Sequence, residues 1–337
     1  MNKKLLGVLL VCAGIVVVAA CAVMAVALAS YGGDPVRVNI PAGADKAQMR
    51  DSLAAGIGES LAAKVMLIWD LSGGTPARAH GSYLVDGGDT SLDIARRLRN
   101  GRQTPVRFTF NNVRTLGQLA DKAAQAMEFT SGEFLAACDS VLPARGYKSA
   151  AEYPAAFLPD SYEFYWTASP QAFVAKLADT RDRFWTDERR AAASRLGLRP
   201  VEVATIASIA EEESAMADER PVIARLYINR LHKGMRLQAD PTVKFAVGDF
   251  SLRRITGRHL GVQSPYNTYA REGLPPGPIR IADAATLKAV LDAPQHNYLY
   301  MCAKEDFSGR HNFAADGATH MANARRYRAA LDRRGIK

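Results

Sequence analysis

A chain of 337 residues with 48% hydrophobic and 23% charged residues is folded protein rather than a disordered tail. Its formal charge of +9 would suit a polyanion or an anionic membrane surface, yet the basic residues are dispersed, as in Arg181/Arg183 and Arg325-Arg326, and no basic–aromatic alternation supports nucleic-acid binding. Six histidines show no His-Glu-x-x-His or comparable spacing, so neither a metal nor another cofactor is expected.

After Met1-Asn2-Lys3-Lys4, residues 5–29 are uncharged and apolar, broken only by Gly7 and Gly14. As a helix this run would be about 37 Å long, enough to span a bilayer. Lys3 and Lys4 precede it and no basic residue follows until Arg37. That asymmetry predicts a single-pass anchor in the inner (cytoplasmic) membrane, with residues 1–4 as a cytoplasmic tail and an exported body. A cleavable signal shares the basic start, but the length favours an uncleaved anchor. Val18-Ala19-Ala20-Cys21 loosely resembles a lipoprotein cleavage box; the further apolar and small residues after Cys21 argue against it. Cys12 and Cys21 lie in the anchor, leaving Cys138 and Cys302 outside. Whether these two pair or stay as isolated thiols is open, since two cysteines make no framework.

The exported part, about 305 residues, has room for two or three domains. Val36-Arg37-Val38-Asn39-Ile40 alternates as a strand, and Pro41-Ala42-Gly43 turns into a helix over 46–53. Tyr83-Leu84-Val85 repeats the arrangement: Asp86-Gly87-Gly88 turns, and Thr90 or Asp89 caps a helix through Leu98. Val106–Phe110 alternates again, followed by Asn111-Asn112 and a helix over about 115–127. These echoes are too degenerate for a solenoid and predict a small mixed α/β module over 34–112. Residues 115–198 read as mainly helical, interrupted at 157–162, with 179–195 a solvated helix leading into Pro200. Further helices are expected over 219–231, 283–291 and 316–333, and a strand over 298–302. The Gly-, Pro- and Asn-rich stretch 232–280 has the composition of binding loops.

The run Ile206-Ala207-Ser208-Ile209-Ala210-Glu211-Glu212-Glu213-Ser214 ends an apolar helix in three carboxylates. At about 100° per residue, Glu213 follows Ala210, Ile209 and Ile206 on one face. Glu211 falls nearly opposite, over Ala204 and Ala207, and Glu212 lies beside Thr205 and Ser208. Burial disfavours a charge, so Glu213 is a candidate for a raised pKa and a proton-donor role. The plainer alternative is a solvated patch of glutamates. Glu202 shares the face, but it sits in the first turn after Pro200, where a helix N-terminus favours a carboxylate without any chemistry.

Downstream come Asp218-Glu219-Arg220, Tyr227-Ile228-Asn229-Arg230-Leu231, and Gly234-Met235-Arg236-Leu237-Gln238-Ala239-Asp240-Pro241-Thr242-Val243. Ser264-Pro265-Tyr266-Asn267-Thr268-Tyr269, Gly273-Leu274-Pro275-Pro276-Gly277-Pro278-Ile279 and His311-Asn312-Phe313 follow. Singly, each has a structural explanation. Together and in this order they resemble the endolytic murein transglycosylases of the YceG-like family, most specifically over 206–313. The resemblance implies an α+β protein made of a transmembrane helix (5–29), a LysM-like α/β module (34–112) and a mainly helical catalytic domain (113–337, core motifs 200–313) of lytic-transglycosylase type with long cleft loops. It further implies a peptidoglycan lyase that cuts the β-1,4 bond between N-acetylmuramic acid and N-acetylglucosamine inside nascent glycan strands, leaves 1,6-anhydromuramic ends and limits strand length. Peptidoglycan synthases are candidate partners.

The family's catalytic acid is the second of an Ile-x-Glu-x-Glu-Ser/Thr pattern, which falls on Glu213, followed by Ser214. Glycosidases usually need two carboxylates. Here the muramic C6 hydroxyl can serve as an intramolecular nucleophile of high effective molarity, so Glu213 could first donate a proton and then recover one. Glu211 fits the family's first acid, and its opposite orientation suggests a hydrogen bond or an ion pair with Arg220 or Arg230. Gln238, Asn267 and Tyr269 suit sugar recognition, and Tyr266 or Tyr269 could stack on a sugar. Asp240 is a turn-former or a helper to an oxocarbenium-like centre. His311 lines the cleft or packs under it. Ser214 and Thr242 join the expected substrate-binding set, and Asn229 and Arg230 are expected to support it. One departure is Asn111-Asn112, where relatives carry an acidic Glu-Gly turn, and it leaves glycan binding by the module open. On the residues alone three other readings remain: a muramidase using Asp240 as second acid, an inactive glycan-binding scaffold, and a divisome adaptor acting through its anchor.

Overall fold

The computed structural model describes residues 3–252 and 254–335. Met1 and Asn2 of the expected cytoplasmic tail lie outside them, as do the side chains of Lys3 and Lys4. The apolar run forms α1 (Lys3–Ala27), of which Leu6–Ala27 is long and apolar enough to cross a membrane. From Leu6 to Met24 its large side chains, Leu10, Val16 and Val18 among them, are exposed, while Ala27 at its end is buried. The helix stops two residues short of the expected end because its last carbonyls find partners elsewhere. Ser91 donates to the carbonyls of Val26 and Ala27, and Ser30 bridges Thr90.

The chain divides into two compact units: residues 1–108, 126–128 and 163–169 form the first, and 109–125, 129–162 and 170–337 the second. In the first, β1 (Val36–Ile40) pairs antiparallel with β2 (Gly81–Val85), Val38 facing Tyr83. Strand alternation buries Val38 and Ile40 and leaves Arg37 and Asn39 exposed. Helix α2 (Lys46–Ile57) begins at a capping box between Asp45 and Gln48. Helix α3 (Glu59–Leu71) was not foreseen; it follows α2 after Gly58, whose φ of 81° lets the chain turn there. The short α4 (Pro76–Ala79) and α5 (Ser91–Asn100), capped by Thr90, complete this unit. Met49, Leu53, Val65, Trp69, Ile94 and Leu98 form its core.

Strands β3 (Val106–Phe110) and β4 (Asp160–Phe164) pair as a two-stranded sheet. Within the second unit follow α6 (Leu116–Ala126), α7 (Ser131–Val141), two 3-10 turns (Pro143–Arg145 and Ala150–Ala156), α8 (Pro170–Phe184) and α9 (Asp187–Arg195). The solvated helix expected over 179–195 is therefore two helices. The break falls where Trp185 is buried and Thr186 caps α9 by accepting from the Arg189 amide. Pro200 opens α10 (Pro200–Glu213), with the Arg199 amide donating to Glu202. Helix α10 is buried from Val203 to Ala210 on every side, so it is the central helix of this unit and not an amphipathic one.

Helix α11 (Arg220–His232) packs on α10. The stretch expected to be loops contains α12 (Asp240–Val247) and α13 (Gly257–Leu260). After α14 (Ala284–Leu291), β5 (Tyr300–Ala303) pairs antiparallel with β6 (His311–Ala314), setting His311 opposite Ala303. Helix α15 (Gly317–Arg333) closes the chain. At this level the architecture is the expected one, helix-rich α+β with an N-terminal apolar helix.

Cys138 and Cys302 are both free thiols, so the option of a disulfide is not taken up. Burial pushes the Cys138 thiol up to about 12.

Candidate active site

The three glutamates at the end of α10 leave a common helix into three environments. Arg280 lies between two of them, with Nη1 2.8 Å from Glu212 Oε1 and Nη2 3.3 Å from Glu211 Oε1. Arg114 donates to both oxygens of Glu212 at 3.1 and 3.2 Å. Glu211 also accepts the Asp283 amide at 3.2 Å. Its partner is thus Arg280 and neither Arg220 nor Arg230. Arg220 instead sits 3.5 Å from Asp283 and Arg230 serves backbone carbonyls. Burial raises the Glu211 carboxyl even so, with Arg280 pulling the other way.

Arg280 is held there by the Pro-rich loop before it. A Cβ on Gly277 would lie 1.8 Å from the Ala151 carbonyl oxygen, so only glycine allows this approach. Two residues on, the Ile279 amide donates to Ser208 Oγ of α10 at 3.0 Å.

Among the described residues no cation forms an ion pair with Glu213; the charges of Lys244 and Arg230 act on it from further away. Glu213 Oε1 accepts the Tyr227 hydroxyl at 2.6 Å, and the residue faces an open pocket of about 280 Å³. Burial raises its carboxyl to about 7; the Tyr227 hydrogen bond opposes this, and the nearby Asp240 charge adds to it. Near neutral pH a substantial fraction of this acid therefore still carries a proton.

Asp240 opens α12. The turn before it places Gln238 at φ 50°, in the left-handed region. The Gln238 amide donates to the Thr268 carbonyl at 3.1 Å and the Ala239 amide to Thr268 Oγ1 at 3.0 Å. The Tyr269 hydroxyl donates to Asp240 Oδ1 at 2.6 Å. Burial and that carboxylate raise the Tyr269 phenol, so it stays a donor. Arg230 reaches the pocket wall with its guanidinium on the carbonyls of Leu299 (2.6 Å) and Leu237 (2.7 Å) and over the Tyr300 ring. His311, from β6, lines the same pocket, and its Nδ1 lies 2.9 Å from Glu219 Oε2.

The pocket therefore gathers Glu213, Gln238, Asp240, Tyr269, His311 and Arg230 from the expected residues. The others lie elsewhere. Ser214 is 2% exposed and donates to Glu219; Thr242 is fully buried and bonded to Thr268 and the Ala239 carbonyl. Asn267 is fully buried as well, donating to the carbonyls of Leu260 and Val262 while its Oδ1 accepts the Tyr269 amide. The Tyr266 ring packs 4.7 Å from that of Phe245, so it is not placed to stack on a ligand in this pocket. Asn229 donates to the carbonyls of His296 and Tyr298. These five shape the walls; they do not line the pocket.

Sequence reasoning missed Tyr227, Glu219, Arg280 and Cys302. Tyr227 stood in the same run as Asn229 and Arg230, and one turn of α11 separates it from Arg230 on one face. That spacing was the available signal. Among the described residues no group of three or more His, Cys, Asp or Glu side chains could hold a metal ion.

The pocket with its raised acid lies within the second, helix-rich unit. The YceG-like family model matches residues 38–326, and the chain belongs to this family. Over 102 residues it is 43% identical to the endolytic murein transglycosylase of Bacillus subtilis (strain 168), covering 30% of this chain and 28% of that protein. Over 106 residues it is 32% identical to the endolytic murein transglycosylase of Streptococcus pneumoniae serotype 2, covering 30% of this chain and 19% of that one. The match thus spans less than a third of these curated relatives' length. A crystal structure of a yceG-like protein from Listeria monocytogenes aligns with a TM-score of 0.56 at 24% identity, over 86% of this chain and 99% of that one. That likeness shows a shared fold.

Proposed function

We propose that this protein is an endolytic murein transglycosylase, a lyase that cleaves the N-acetylmuramic acid to N-acetylglucosamine bond within nascent glycan strands and so limits their length. The observation that carries this reading is Glu213, a carboxyl raised to about 7 beside an open pocket. Such a group is an acid at neutral pH and can protonate the glycosidic oxygen as the bond breaks. The muramic C6 hydroxyl then closes on C1 and leaves the 1,6-anhydro end, without an activated water. The names of the two relatives support the same reading.

Gln238, Asp240, Tyr269 and His311 hold the sugars in this proposal. Arg230 and Tyr227 fix the pocket around them, and Ser214, Thr242, Asn267, Asn229 and Glu211 act from behind it. Residues 34–112 form a LysM-like module and 113–337 the catalytic domain. The apolar helix anchors the protein once in the cytoplasmic membrane, N-terminus inside, with the catalytic domain on the periplasmic or outer face. Peptidoglycan synthases working on the same strands are its partners.

The test is digestion of purified glycan strands in ¹⁸O-labelled water. A transglycosylase places no label in the new ends, whereas label at the muramic C1 would identify a hydrolase and overturn the proposal.

A further inference from the structure

At the pocket wall a buried carboxylate meets the imidazole of His311. The Glu219 side chain is 8% exposed and both its oxygens are engaged. Oε1 accepts the His311 backbone amide at 2.9 Å; Oε2 accepts Ser214 Oγ at 3.0 Å and lies 2.9 Å from His311 Nδ1. Burial alone would raise this carboxyl, but the donors outweigh it and hold it below the usual range. An ionised carboxylate only accepts, so Nδ1 carries the hydrogen of that bond. In the neutral ring the lone pair is then on Nε2, the nitrogen left for the pocket that His311 shares with Glu213. A base held in one tautomer by a third group, across a cleft from an acid, is the general arrangement of a proton-transfer pair.

We propose that His311, oriented by Glu219, is the general base of this site. This rests on the transglycosylase reading and assigns the proton of the C6 hydroxyl to His311 in place of Glu213. As C1 parts from the glycosidic oxygen, the electron pair leaves with that oxygen, which takes the proton of Glu213. The C6 oxygen forms its bond to C1, and the hydroxyl proton passes to His311 Nε2. The imidazolium then releases a proton to water and Glu213 regains one from water, so nothing is consumed. Glu219 and Ser214 are positioning residues in this scheme. Glu213 only donates.

The charged and titratable groups around the imidazole are Glu219 at the start of α11, Arg230 further along it, and Cys302 on the paired strand. Glu213 and Asp240 face it across the pocket. Arg310, next to it in sequence, is engaged by Asp218 at 2.8 Å, and on α15 His320 stacks on Tyr300.

The experiment measures kcat and kcat/KM against pH for the full-length protein in detergent on purified glycan strands, for wild type, His311→Gln and Glu219→Gln. H311Q is expected to lower kcat by about 100-fold or more, to lose the acidic limb of the profile, and to yield anhydro ends only. E219Q is expected to lower kcat less and to move the acidic limb to lower pH, because the imidazolium loses its carboxylate. Added imidazole is expected to restore part of the activity of His311→Gly. Wild-type kcat in H311Q overturns the proposal. So does a fall in rate with the acidic limb intact, which would make His311 a holder of substrate. Should H311Q fail to fold, the E219Q profile decides on the same limb. Reducing muramic ends from the wild type would instead strike the transglycosylase reading, and they are scored independently of either variant.

Discussion

The Tyr227 hydroxyl donates to Oε1 of Glu213 at 2.6 Å, and this bond decides which oxygen of the acid is available. With Oε1 occupied by a donor, the carboxyl proton resides on Oε2. Tyr227→Phe removes the hydrogen bond that most opposes burial at Glu213, leaving the weaker pull of the Lys244 and Arg230 charges. In the proposed reaction the acid form is the active one, so activity is expected below that pKa and its loss above it. The alkaline limb of the pH–rate profile is expected to move to higher pH in the variant. The unpaired oxygen should also cost about 1–3 kcal/mol of stability, read by urea unfolding.

Glu213 also sets a stability trend. Its folded pKa of about 7 lies above the ordinary 4.5, so ionising it costs the folded state more than the unfolded one. Its contribution is fully kept below pH 4.5 and is lost as pH rises through 7. Glu213→Gln keeps an acceptor for Tyr227 and removes the charge. The variant should be more stable than wild type at pH 8, by at most roughly 3 kcal/mol, with the gain fading towards pH 4. Thermal unfolding at the two pH values checks this; equal gains at both would contradict it.

Arg280 keeps two buried carboxylates together. Arg280→Met leaves Glu211 without a cation and should cost about 3–5 kcal/mol, again by urea unfolding. Lysine should not restore the loss. One ammonium cannot reproduce the fork that meets Glu211, Glu212 and Asn112 at once.

The loop that delivers Arg280 depends on Gly277. A methyl group there meets the Ala151 carbonyl, so Gly277→Ala should destabilise by about 1–3 kcal/mol or more. It should also lower activity, through displacement of Arg280 and of the end of α10. Asn267→Ala loosens the other side of the pocket: it frees the Tyr269 amide and the carbonyls of Leu260 and Val262, and the expected effect is a raised KM together with a loss of about 1–3 kcal/mol of stability.

How much of this was legible beforehand differs from element to element. Strands β1 and β3 followed from alternation, and Asp316 and Asp283 marked helix starts by their capping chemistry. Helix α3 escaped because its apolar residues are spread too widely for one stripe. Strand β6 escaped because four residues beginning with His-Asn carry no strand signal until β5 is beside them. In the site, Glu213 was reached by position on a helix face, although α10 is buried all round and the contrast lies in what each glutamate meets. Partners separated by tens of residues, such as Arg280 for Glu211 and Glu219 for His311, are set by tertiary packing. Buried polar residues such as Asn267 and Thr242 look the same in sequence as residues that touch a ligand.

The most direct measurement is mass spectrometry of the ends released from purified glycan by wild type and by Glu213→Gln. The wild type should release 1,6-anhydromuramic ends, and the variant, folded and at least as stable at pH 8, should release none. Anhydro ends from the variant at the wild-type rate would contradict the assignment of Glu213 as the acid.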